Sequence, residues 1–366
     1  MINTLFQLLR YAMGISKVFP IDISEEKWRG IYKIAQQQSL LGVLFYGIQQ
    51  NPSTQMERDL LLQWYAVYEQ NRSANQRVNK VAVELSDYFR KLGFRSCILK
   101  GQGNAMNYPD PYVRTCGDID IWIEGGHDKI MKFVNAQWHG MLERYHHVEI
   151  PAWDGVPVEI HFVPSYMHAP WMNKRIQRWF AENAEEQFSH EVELPDGAGS
   201  ICVPTTEFDL IYQLSHMYRH LFSEGIGLRQ MMDYYFVLKA HNDGIGQMEK
   251  GREMKNDVVD TLRYLGLYKF AGAVMWVLKE TLGLEEEMMI VEPNEKEGRF
   301  LLDEIMIGGN FGQYDTRLGS KKNESVVHRY FRMSLRNMRY IMHYPLEALC
   351  EPLFRTWYFF WRVAHR

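Results

Sequence analysis

The most informative stretch of this chain is residues 99–123, LKGQGNAMNYPDPYVRTCGDIDIWI. Its last six residues, DIDIWI, alternate acidic and apolar side chains, which is the period of a strand with one buried face. The stretch begins inside RSCILKG (95–101), a short β-like run that ends in glycine, and a polar, proline-containing loop joins the two. We therefore predict two short strands separated by a long polar loop.

The acidic residues of the second strand are Asp118 and Asp120. Being two apart, their side chains point to one face of a strand, roughly 6.6 Å apart along it. Ile119, Ile121 and Ile123 then face the core. Two like charges this close repel each other, and a bound divalent cation such as Mg²⁺ removes that penalty. A solvated acidic strand face is the alternative interpretation.

A third carboxylate, Glu159, lies on a predicted hairpin, HHVEIPAWDGVPVEIHF (146–162), whose turn is the Asp-Gly pair at 154–155. Glu159 alternates with the apolar residues Val158 and Ile160. If its strand lies beside the acidic strand, Glu159 reaches the same site, and three carboxylates can clamp two metal ions ~3.5–4 Å apart. An ordinary exposed strand residue is the alternative.

The sequence on both sides of this block is predicted to be helical. An early helix follows Ser24 as its cap, and Asn51-Pro52 marks a break. A long helix, or two in sequence, then runs from 54 to 92 and stops at Gly93. Thr206 is a candidate cap for the C-terminal helices. They are interrupted by one irregular segment, GGNFGQYDTRLGSKKNES (308–325).

These elements predict an α+β fold with a small mixed β-sheet. The sheet core occupies residues 72–203, between an N-terminal helical region, 1–71, and a C-terminal helical domain, 204–366.

Composition narrows the class of protein. The 366 residues carry a formal net charge of −4, without the basic excess of most proteins that bind long nucleic acids. Four widely spaced cysteines suggest neither a disulfide framework nor a zinc site. Reduced, mostly buried thiols in a cytoplasmic protein are therefore expected. The N-terminus lacks the basic region and small-residue cleavage site of a signal peptide. The late apolar segment 352–365 is broken by Arg355 and Arg362, so it is predicted to be an aromatic core helix rather than a membrane-surface helix, and not a membrane span.

The ordered motifs of residues 72–240 resemble the polymerase-β-like nucleotidyltransferase superfamily, and more closely a bacterial group of largely uncharacterised nucleotidyltransferases. The resemblance rests on the Leu-Lys-Gly strand end, the Tyr-Pro segment, Arg114, Gly-Asp-Ile-Asp and Val-Glu-Ile-His-Phe. A helical stretch at 214–233, LSHMYRHLFSEGIGLRQMMD, fits as well. Two features depart from the wider superfamily. Lys-Gly-Gln-Gly (100–103) replaces the usual Gly-Ser or Gly-Gly, and the third carboxylate is Glu159 where Asp is common.

The resemblance implies a nucleotidyltransferase core that transfers a nucleoside monophosphate from an NTP to an acceptor hydroxyl, releasing pyrophosphate. Asp118 and Asp120 would hold the metal that carries the triphosphate, and Asp120 would bridge to a second metal. Glu159 would complete that second site and help to deprotonate the acceptor. The expected cofactor is Mg²⁺ or Mn²⁺, as two ions. The expected nucleotide-binding residues are Lys100, Gly101, Gly103, Arg114, Gly117 and Arg229.

The partners implied are an NTP and an acceptor that is a small molecule, a sugar, a peptide or a protein. A catalytically inert nucleotide-binding module, acting through its helical regions, is the alternative function. A metal-dependent hydrolase built on His216 and His220 is a third, but the HExxH glutamate is missing and structural packing is favoured for that pair.

Several side chains keep two interpretations. Arg114 either clamps phosphate or bridges to Asp118 or Asp110. Arg229 and Asp233 are four apart on a predicted helix and can pair, or can line the cleft.

His161 is either a partner of the metal carboxylates or an ordinary half-buried histidine. Lys100 either neutralises phosphate charge or is a solvated strand-end lysine.

Overall fold

The chain folds as predicted, as an α+β protein with a small mixed sheet flanked by helices. The computed structural model describes residues 1–51, 54–245, 251–317 and 325–364. The strands are β1 (Ser96–Leu99), β2 (Ile119–Ile123), β3 (Leu142–Glu143), β4 (His147–Trp153), β5 (Val156–His161), β6 (Glu191–Leu194) and β7 (Gly199–Cys202).

Helices precede and follow the strands. They are α1 (Ile2–Ala12), α2 (Glu25–Gln37), α3 (Leu41–Gln49), α4 (Arg58–Lys91), α5 (Gly101–Ala105), α6 (Gly126–Gln137), α7 (Pro170–Glu182), α8 (Ala184–Gln187), α9 (Thr206–Ser223), α10 (Leu228–Ile245), α11 (Gly251–Tyr264), α12 (Tyr268–Leu282), α13 (Glu295–Gly308), α14 (Val326–Met338) and α15 (Pro345–Ala364).

The main sheet has the strand order β1-β2-β5-β4-β3. Strand β2 pairs with β1 antiparallel and with β5 parallel, while β4 pairs antiparallel with β5 and with β3. The predicted hairpin turn is present, since Asp154 and Gly155 both adopt the positive φ that a two-residue hairpin turn needs. A separate antiparallel pair, β6 and β7, forms a second small sheet.

The two faces of the main sheet pack against different helices. Ile119, Ile121 and Ile123 of β2 are buried in one apolar cluster with the second half of α4 and with α6. The opposite face carries Asp120 and Trp122, and Trp122 stacks on Phe208 of α9 with ring centroids 5.9 Å apart. Helix α9 therefore covers the face that carries the acidic residues.

Helix α4 joins the two halves of the molecule. Its first half, with Trp64 and Tyr68, belongs to a second apolar cluster that unites the N-terminal helices with α9, α10, α12 and α13. Its second half belongs to the cluster beneath the sheet. The predicted long helix is one continuous element, and Gly93, at φ +79°, ends it as expected. The predicted domain boundary at 71/72 falls inside this helix and stays a prediction.

The helix starts test the predicted caps. Ser24 caps α2 by accepting a hydrogen bond from the Lys27 N–H. The predicted cap Thr206 is wrong by one residue, because the Thr205 side chain accepts from the Phe208 N–H while Thr206 is already helical. Pro52 lies outside the described residues, as do residues 318–324 of the irregular segment.

The predicted aromatic core helix is only partly correct. Helix α15 buries Ala348 and Glu351, but its Leu353 side chain is 71% exposed, and Phe360 is exposed as well. Antiparallel helices pack through a narrow stripe, so a helix that is apolar on several sides keeps an uncovered face. No helix in the described parts of the chain is long and apolar enough to cross a bilayer.

Candidate active site

The acidic residues meet because of the strand register. On the parallel strands β2 and β5, Asp120 and Glu159 are direct Cα partners, and neighbouring strands lie roughly 4.8 Å apart. Ligand atoms of Asp120, Glu159 and His161 lie within 4.8 Å of one another. Asp118 precedes β2, which begins at Ile119, so it lies at the strand entrance rather than within the strand as predicted. Its side chain is exposed at the mouth of a cleft.

Two rows of polar side chains cross the sheet. The register makes Asp120, Glu159 and Glu149 one row. The next row carries His161 on β5 and His147 on β4, also direct partners. Residues two apart on a strand share a face, so both rows face α9. The sheet thus presents carboxylate oxygens and imidazole nitrogens together.

The imidazoles contact the carboxylates directly. The His161 Nε2 atom lies 2.8 Å from Asp120 Oδ1 and 3.5 Å from Glu159 Oε2. The His147 Nδ1 atom lies 3.3 Å from Glu159 Oε2 and 3.2 Å from His146 Nε2. His161 is therefore the partner of the carboxylates. His146 and His147 were not among the predicted site residues. The period-two spacing of His147 and Glu149, matching that of Glu159 and His161, was a signal for His147 but not for His146.

Lys100 contacts the second carboxylate oxygen of Asp120, the one that His161 does not contact. Its Nζ lies 3.0 Å from Asp120 Oδ2 and 3.1 Å from the His216 Nε2 of α9. The residue has φ +55°, a backbone conformation that costs free energy outside glycine and is found at functional sites. The lysine is thus not a solvated strand-end residue, because it is held between the sheet and α9.

The cleft lies between the strand ends and helices α5, α9 and α10. Asn104 and Gln213 join two of its walls through an amide–amide hydrogen bond, 2.8 Å from the Gln213 Nε2 to the Asn104 Oδ1. The side chains of Met217, Gln230 and Phe311 complete the lining. Asn104 and Gln213 were not predicted as site residues, because neither belongs to a motif associated with catalysis or binding.

The structural bridge from Arg114 to Asp118 or Asp110, one of the two predicted alternatives, is wrong in its partner. The Arg114 guanidinium instead forms a two-point bridge to Asp233, Nε to Oδ1 at 2.8 Å and Nη2 to Oδ2 at 2.9 Å. The Tyr108 hydroxyl also donates to Asp233 Oδ1 at 2.7 Å. Arg114 still lines the cleft, but its fork-shaped donor face is occupied by Asp233.

Arg229 does not form the predicted hydrogen-bonded pair with Asp233. Its Nη1 donates to the Thr115 carbonyl at 2.9 Å, and its guanidinium carbon lies 5.4 Å from the centre of the Phe311 ring. Burial, followed by the charge of Arg114, lowers the pKa of Arg229. This residue therefore anchors the loop that leads to Asp118 and brings a third basic side chain to the cleft, after Lys100 and Arg114.

The three glycines of the predicted nucleotide site differ. A side chain at Gly117 would meet no atom within 4 Å, so the cleft is open there. Gly101, at φ +46°, starts α5 and lines the same cleft. Gly103 instead faces Val203, whose Cγ1 would lie 3.0 Å from an added Cβ, and it borders a neighbouring pocket. Gly101 and Gly117 lie in the cleft with Asp118, and Gly103 does not.

The two aspartates have opposite pKa shifts. The negative charge of Asp120, followed by partial loss of solvent around the otherwise exposed Asp118 carboxyl, raises the pKa of Asp118 to about 6. Burial also acts to raise the pKa of Asp120, but the Lys100 ammonium and the His161 imidazole hold it well below its usual range. Asp120 therefore stays ionised, whereas Asp118 exchanges its proton near neutral pH, where a cation can take the proton's place.

The histidines beside the carboxylates also have pKa shifts of opposite sign. Burial opposes the charged form of His161, but hydrogen bonds to Asp120 and Glu159 outweigh it and raise its pKa. Burial, then the charge of His161, lowers the pKa of His147 to about 2. Burial and the charge of Arg219 lower the pKa of His146 well below its ordinary value. His147 and His146 are therefore neutral, the form in which imidazole binds metal ions.

The pair His216 and His220 packs rather than forming a ligand cluster. Their ring centroids lie 4.3 Å apart, and Arg219 Nη2 lies 2.8 Å from His220 Nε2. Among the described residues, the clusters of three or more metal-ligand atoms involve β2, β4, β5 and His146, not this pair. The early part of the irregular segment forms a short helical turn, Asn310–Gly312, which brings the Phe311 ring to the cleft.

The ligand chemistry of the site fits a divalent cation. Carboxylate oxygens of Asp118, Asp120 and Glu159 are the donors that Mg²⁺ prefers. The adjoining nitrogens of His161 and His147 are donors that Mn²⁺ and later transition metals also accept. On one sheet face, oxygens of Asp120 and Glu159 lie 2.8–3.5 Å from nitrogens of His161 and His147. Asp118 lies outside the strand and belongs to none of the clusters of three or more ligand atoms among the described residues.

Comparison with known proteins gives one informative match. Residues 24–283, well over half of the chain, match the model of a family described as "Uncharacterised nucleotidyltransferase". A solved structure, an antigenic nucleotidyltransferase-like protein from Paracoccidioides brasiliensis, is 12% identical and covers 52% of this chain and 92% of its own, with a TM-score of 0.29. A TM-score of 0.29 does not establish that the two proteins share a fold. No curated protein matches this chain.

Proposed function

The chain belongs to this uncharacterised nucleotidyltransferase family, and on that premise we propose that it transfers a nucleoside monophosphate from an NTP to an acceptor hydroxyl. One observation carries the proposal. Asp120 and Glu159 are register partners on parallel strands, and Asp118 lies at the cleft mouth two residues before Asp120. Three carboxylates so arranged fit in-line phosphoryl transfer.

The reaction proposed is a single displacement. The acceptor oxygen bonds to the α-phosphorus of the NTP while the bond from that phosphorus to the bridging β-phosphate oxygen breaks. Pyrophosphate leaves with the electron pair, and the acceptor proton passes to Glu159 and then to water. Phosphoryl transfer needs positioning and charge neutralisation more than covalent catalysis, so these residues act by holding groups in place.

Mg²⁺ or Mn²⁺, as two ions, is the proposed cofactor, and when bound it lowers the pKa of the acceptor hydroxyl and offsets phosphate charge. Asp118 and Asp120 would hold the nucleotide-side ion, and Asp120 and Glu159 the acceptor-side ion. His161 and His147 adjoin Glu159, so the acceptor side offers nitrogen donors and should favour Mn²⁺ over Mg²⁺.

Positive groups around the cleft suit the triphosphate. The Lys100 ammonium, already beside Asp120, is placed to neutralise phosphate oxygens. Arg229 adds charge from the opposite wall, and the open backbone at Gly101 and Gly117 permits close approach. We assign Arg114 to positioning the loop through its two-point bridge to Asp233.

The proposal allows several classes of acceptor. Small molecules, sugars, peptides and proteins all offer hydroxyl groups, and the formal net charge of −4 does not favour a long nucleic acid as the acceptor. A cytoplasmic reaction is proposed because the cysteines are free, in keeping with a reducing compartment. Membership of the polymerase-β-like superfamily and a bacterial origin stay predictions.

Pyrophosphate release tests the proposal. The protein is incubated with each labelled NTP, with Mg²⁺ or Mn²⁺, and with a fractionated extract as the acceptor source. We expect pyrophosphate release and a labelled acceptor product in the wild type, and neither in Asp120→Asn. Tight NTP binding without pyrophosphate release, for every nucleotide and fraction, would instead indicate the inert nucleotide-binding module.

A further inference from the structure

The lining of the cleft has two chemically different parts. Lys100 and Asp120 belong to the sheet side, which the proposed function assigns to the metal ions and the triphosphate. Met217, Gln230 and Phe311 also line the cleft, and none of them carries a charge. Because an NTP places its base beyond its phosphates, an uncharged part of the same cleft is where a base can lie.

A series of side-chain contacts connects the two parts of the lining. Lys100 Nζ lies 3.1 Å from His216 Nε2. The His216 ring lies 4.3 Å from the His220 ring, which lies 5.2 Å from the Phe311 ring, measured between centroids. Phe311 is therefore three side-chain contacts away from the Lys100 ammonium, a separation that an NTP spans between its phosphates and its base.

The Phe311 ring is held at the cleft by a turn with a strained backbone. Phe311 has φ +53°, a left-handed conformation that costs free energy for a bulky residue. The turn packs backbone to backbone, since a Cβ added at Gly312 would clash with the Glu224 carbonyl, and one at Gly227 would lie 2.9 Å from the Asn310 Cα. Only glycine permits such close approach. The position of the half-buried ring is therefore fixed against the start of α10.

Gln230 brings an unpartnered hydrogen-bond donor to the same cleft. Its Oε1 accepts from the Gly227 N–H at 2.9 Å, which sets the orientation of the amide. Its Nε2 is buried and has no hydrogen-bond partner in the part of the chain that the structure describes, and the residue is 8% exposed. A buried donor without a partner costs free energy, so a ligand that offers an acceptor there would be favoured.

Gly227 holds both groups in place. Its N–H fixes Gln230, and its Cα packs against Asn310, the neighbour of Phe311. An aromatic ring and a fixed amide donor suit a planar heterocycle, which has an apolar face and acceptor atoms on its edge. A phosphate group suits them less well, because neither side chain is charged.

We propose that Phe311 and Gln230 form the subsite for the base of the NTP. The base packs against the Phe311 ring, and one acceptor on its edge receives a hydrogen bond from Gln230 Nε2. This inference rests on the proposed function, which places the phosphates beside Lys100 and the carboxylates. It adds the residues that distinguish a nucleotide from a bare triphosphate. Phe311 lies beyond residues 24–283, so the ring contact comes from outside the part of the chain that matches the family.

Inorganic tripolyphosphate is the probe that separates the base from the phosphates. Calorimetry on the full chain with Mg²⁺ gives the affinity for each of the four NTPs and for tripolyphosphate, and the ratio of the two is compared between variants. We expect Phe311→Ala to lower the ratio for the preferred NTP by about tenfold, because the packing of the base is lost. Phe311→Tyr keeps a ring and should restore it.

Gln230→Glu tests the donor. It keeps an oxygen for the Gly227 N–H and replaces the free donor by an acceptor, so we expect the ratio to fall about fivefold and the order of preference among the NTPs to change. The added negative charge acts on the phosphates of both ligands and therefore cancels in the ratio.

Gln38→Glu is the matched control. Gln38 is also buried, and its Oε1 accepts from the Leu228 N–H at the same helix start, but it is not part of the cleft lining. Its ratio should equal that of the wild type. Melting temperatures of all variants are measured, so that a general loss of stability is recognised.

Three outcomes would overturn the subsite. Unchanged ratios in Phe311→Ala and Gln230→Glu, with pyrophosphate release intact in the wild type, would reject the subsite and leave the nucleotidyltransferase function standing. Variants that raise the KM for the acceptor without changing NTP affinity would assign the pair to the acceptor. A wild type that binds neither ligand and releases no pyrophosphate would reject the proposed function and the subsite with it.

Discussion

At the scale of single residues, Glu159 and Glu149 form a natural pair for comparison, because they are direct partners on β5 and β4. Only Glu159 adjoins Asp120 in register, whereas Glu149 is held by Arg144, with Nε to Oε1 at 2.9 Å. We predict that Glu159→Gln lowers turnover by roughly 10²-fold or more, in the range of a lost general base. NTP affinity should change little, since the loss is confined to the transition state.

Glu149→Gln is the control for that prediction. It makes the same change in the same row of the sheet, one strand further from Asp120. Steady-state kinetics and calorimetric NTP binding are measured for both variants. A fully active Glu159→Gln together with an inactive Glu149→Gln would transfer the third-carboxylate role to Glu149.

Asp118 is expected to bind the nucleotide-side ion. Replacing it by Asn removes a charged oxygen donor, so we predict that affinity for the NTP with Mg²⁺ falls by about tenfold or more. Isothermal titration calorimetry of wild type and Asp118→Asn, each with and without metal, measures this directly. Equal affinities in the presence of metal would count decisively against the assignment.

The same substitution should stabilise the metal-free protein. Because the pKa of Asp118 is raised to about 6 from an ordinary 3.8, the folded chain holds this proton more tightly than the unfolded chain. The ionised carboxylate therefore opposes folding above about pH 6, and this opposition disappears as the pH falls below 3.8.

Asp118→Asn should accordingly raise the melting temperature at pH 7.5, with metal removed by chelation. The side chain is exposed and its charge is screened, so we expect a gain on the order of 1–2 °C. The gain should shrink as the pH is lowered and vanish below pH 3.8. A melting temperature that falls at pH 7.5 would mean that Asp118 has a stabilising partner instead.

At the scale of elements, the loop between β1 and β2 is held by α10 through the buried bridge from Arg114 to Asp233. Both side chains are 6% exposed. Asp233→Asn leaves a buried guanidinium without its counter-charge, so we predict a loss of about 3–5 kcal/mol in the free energy of unfolding. Urea unfolding measures it.

Tyr108→Phe is the comparison variant for the bridge. It removes only the hydroxyl that donates to Asp233 and leaves both charges paired. Its expected cost is about 1 kcal/mol. Equal losses in the two variants would show that the bridge contributes no more than an ordinary hydrogen bond.

The elements differ in how far the sequence could predict them. Strand β2 and the β4–β5 hairpin carry local signals, namely side-chain alternation and an Asp-Gly turn, so both were found. The register that places Glu159 beside Asp120 is a property of two strands together, and neither strand alone encodes it. The partner of Arg114 lies 119 residues away along the chain. Residues close to Arg114 in the sequence therefore suggested the wrong carboxylate partners for it, Asp110 and Asp118 instead of Asp233.

The burial of helix α15 could not be predicted from the sequence either. The sequence predicts that its apolar residues are buried, because it shows which residues are apolar but not which face of the helix a neighbour covers. The antiparallel contact with α14 covers one line of each helix and leaves the adjacent stripe uncovered. His147 was not predicted for a similar reason, since the pairing of β4 with β5 brings it to Glu159, and His146 in turn contacts His147.

At the scale of the whole molecule, the cleft is lined by residues from the strand ends and from helices α5, α9 and α10. Lys100 and Asp118 reach it from the sheet, and His216 and Arg229 reach it from the helices that the N-terminal region supports. A ligand in this cleft touches both halves of the molecule, so binding should stabilise the junction as a whole rather than one loop.

We therefore predict that an NTP together with Mg²⁺ or Mn²⁺ raises the melting temperature and slows amide hydrogen exchange on both sides of the cleft. At 100 times the dissociation constant, ligand binding adds about 2.7 kcal/mol to the free energy of unfolding. Protection should appear around Gly117 and at the start of α10, as measured by exchange with mass-spectrometric detection.

The control for this last prediction separates the carboxylates from the helices. In Asp118→Asn the protection around Gly117 should be lost, because the nucleotide-side ion no longer connects the phosphates to the strand. Glu159→Gln should keep it, since the nucleotide remains held by Asp118 and Asp120. Protection confined to the helices in the wild type would place the nucleotide away from the acidic strand, and the three carboxylates would then need another ligand.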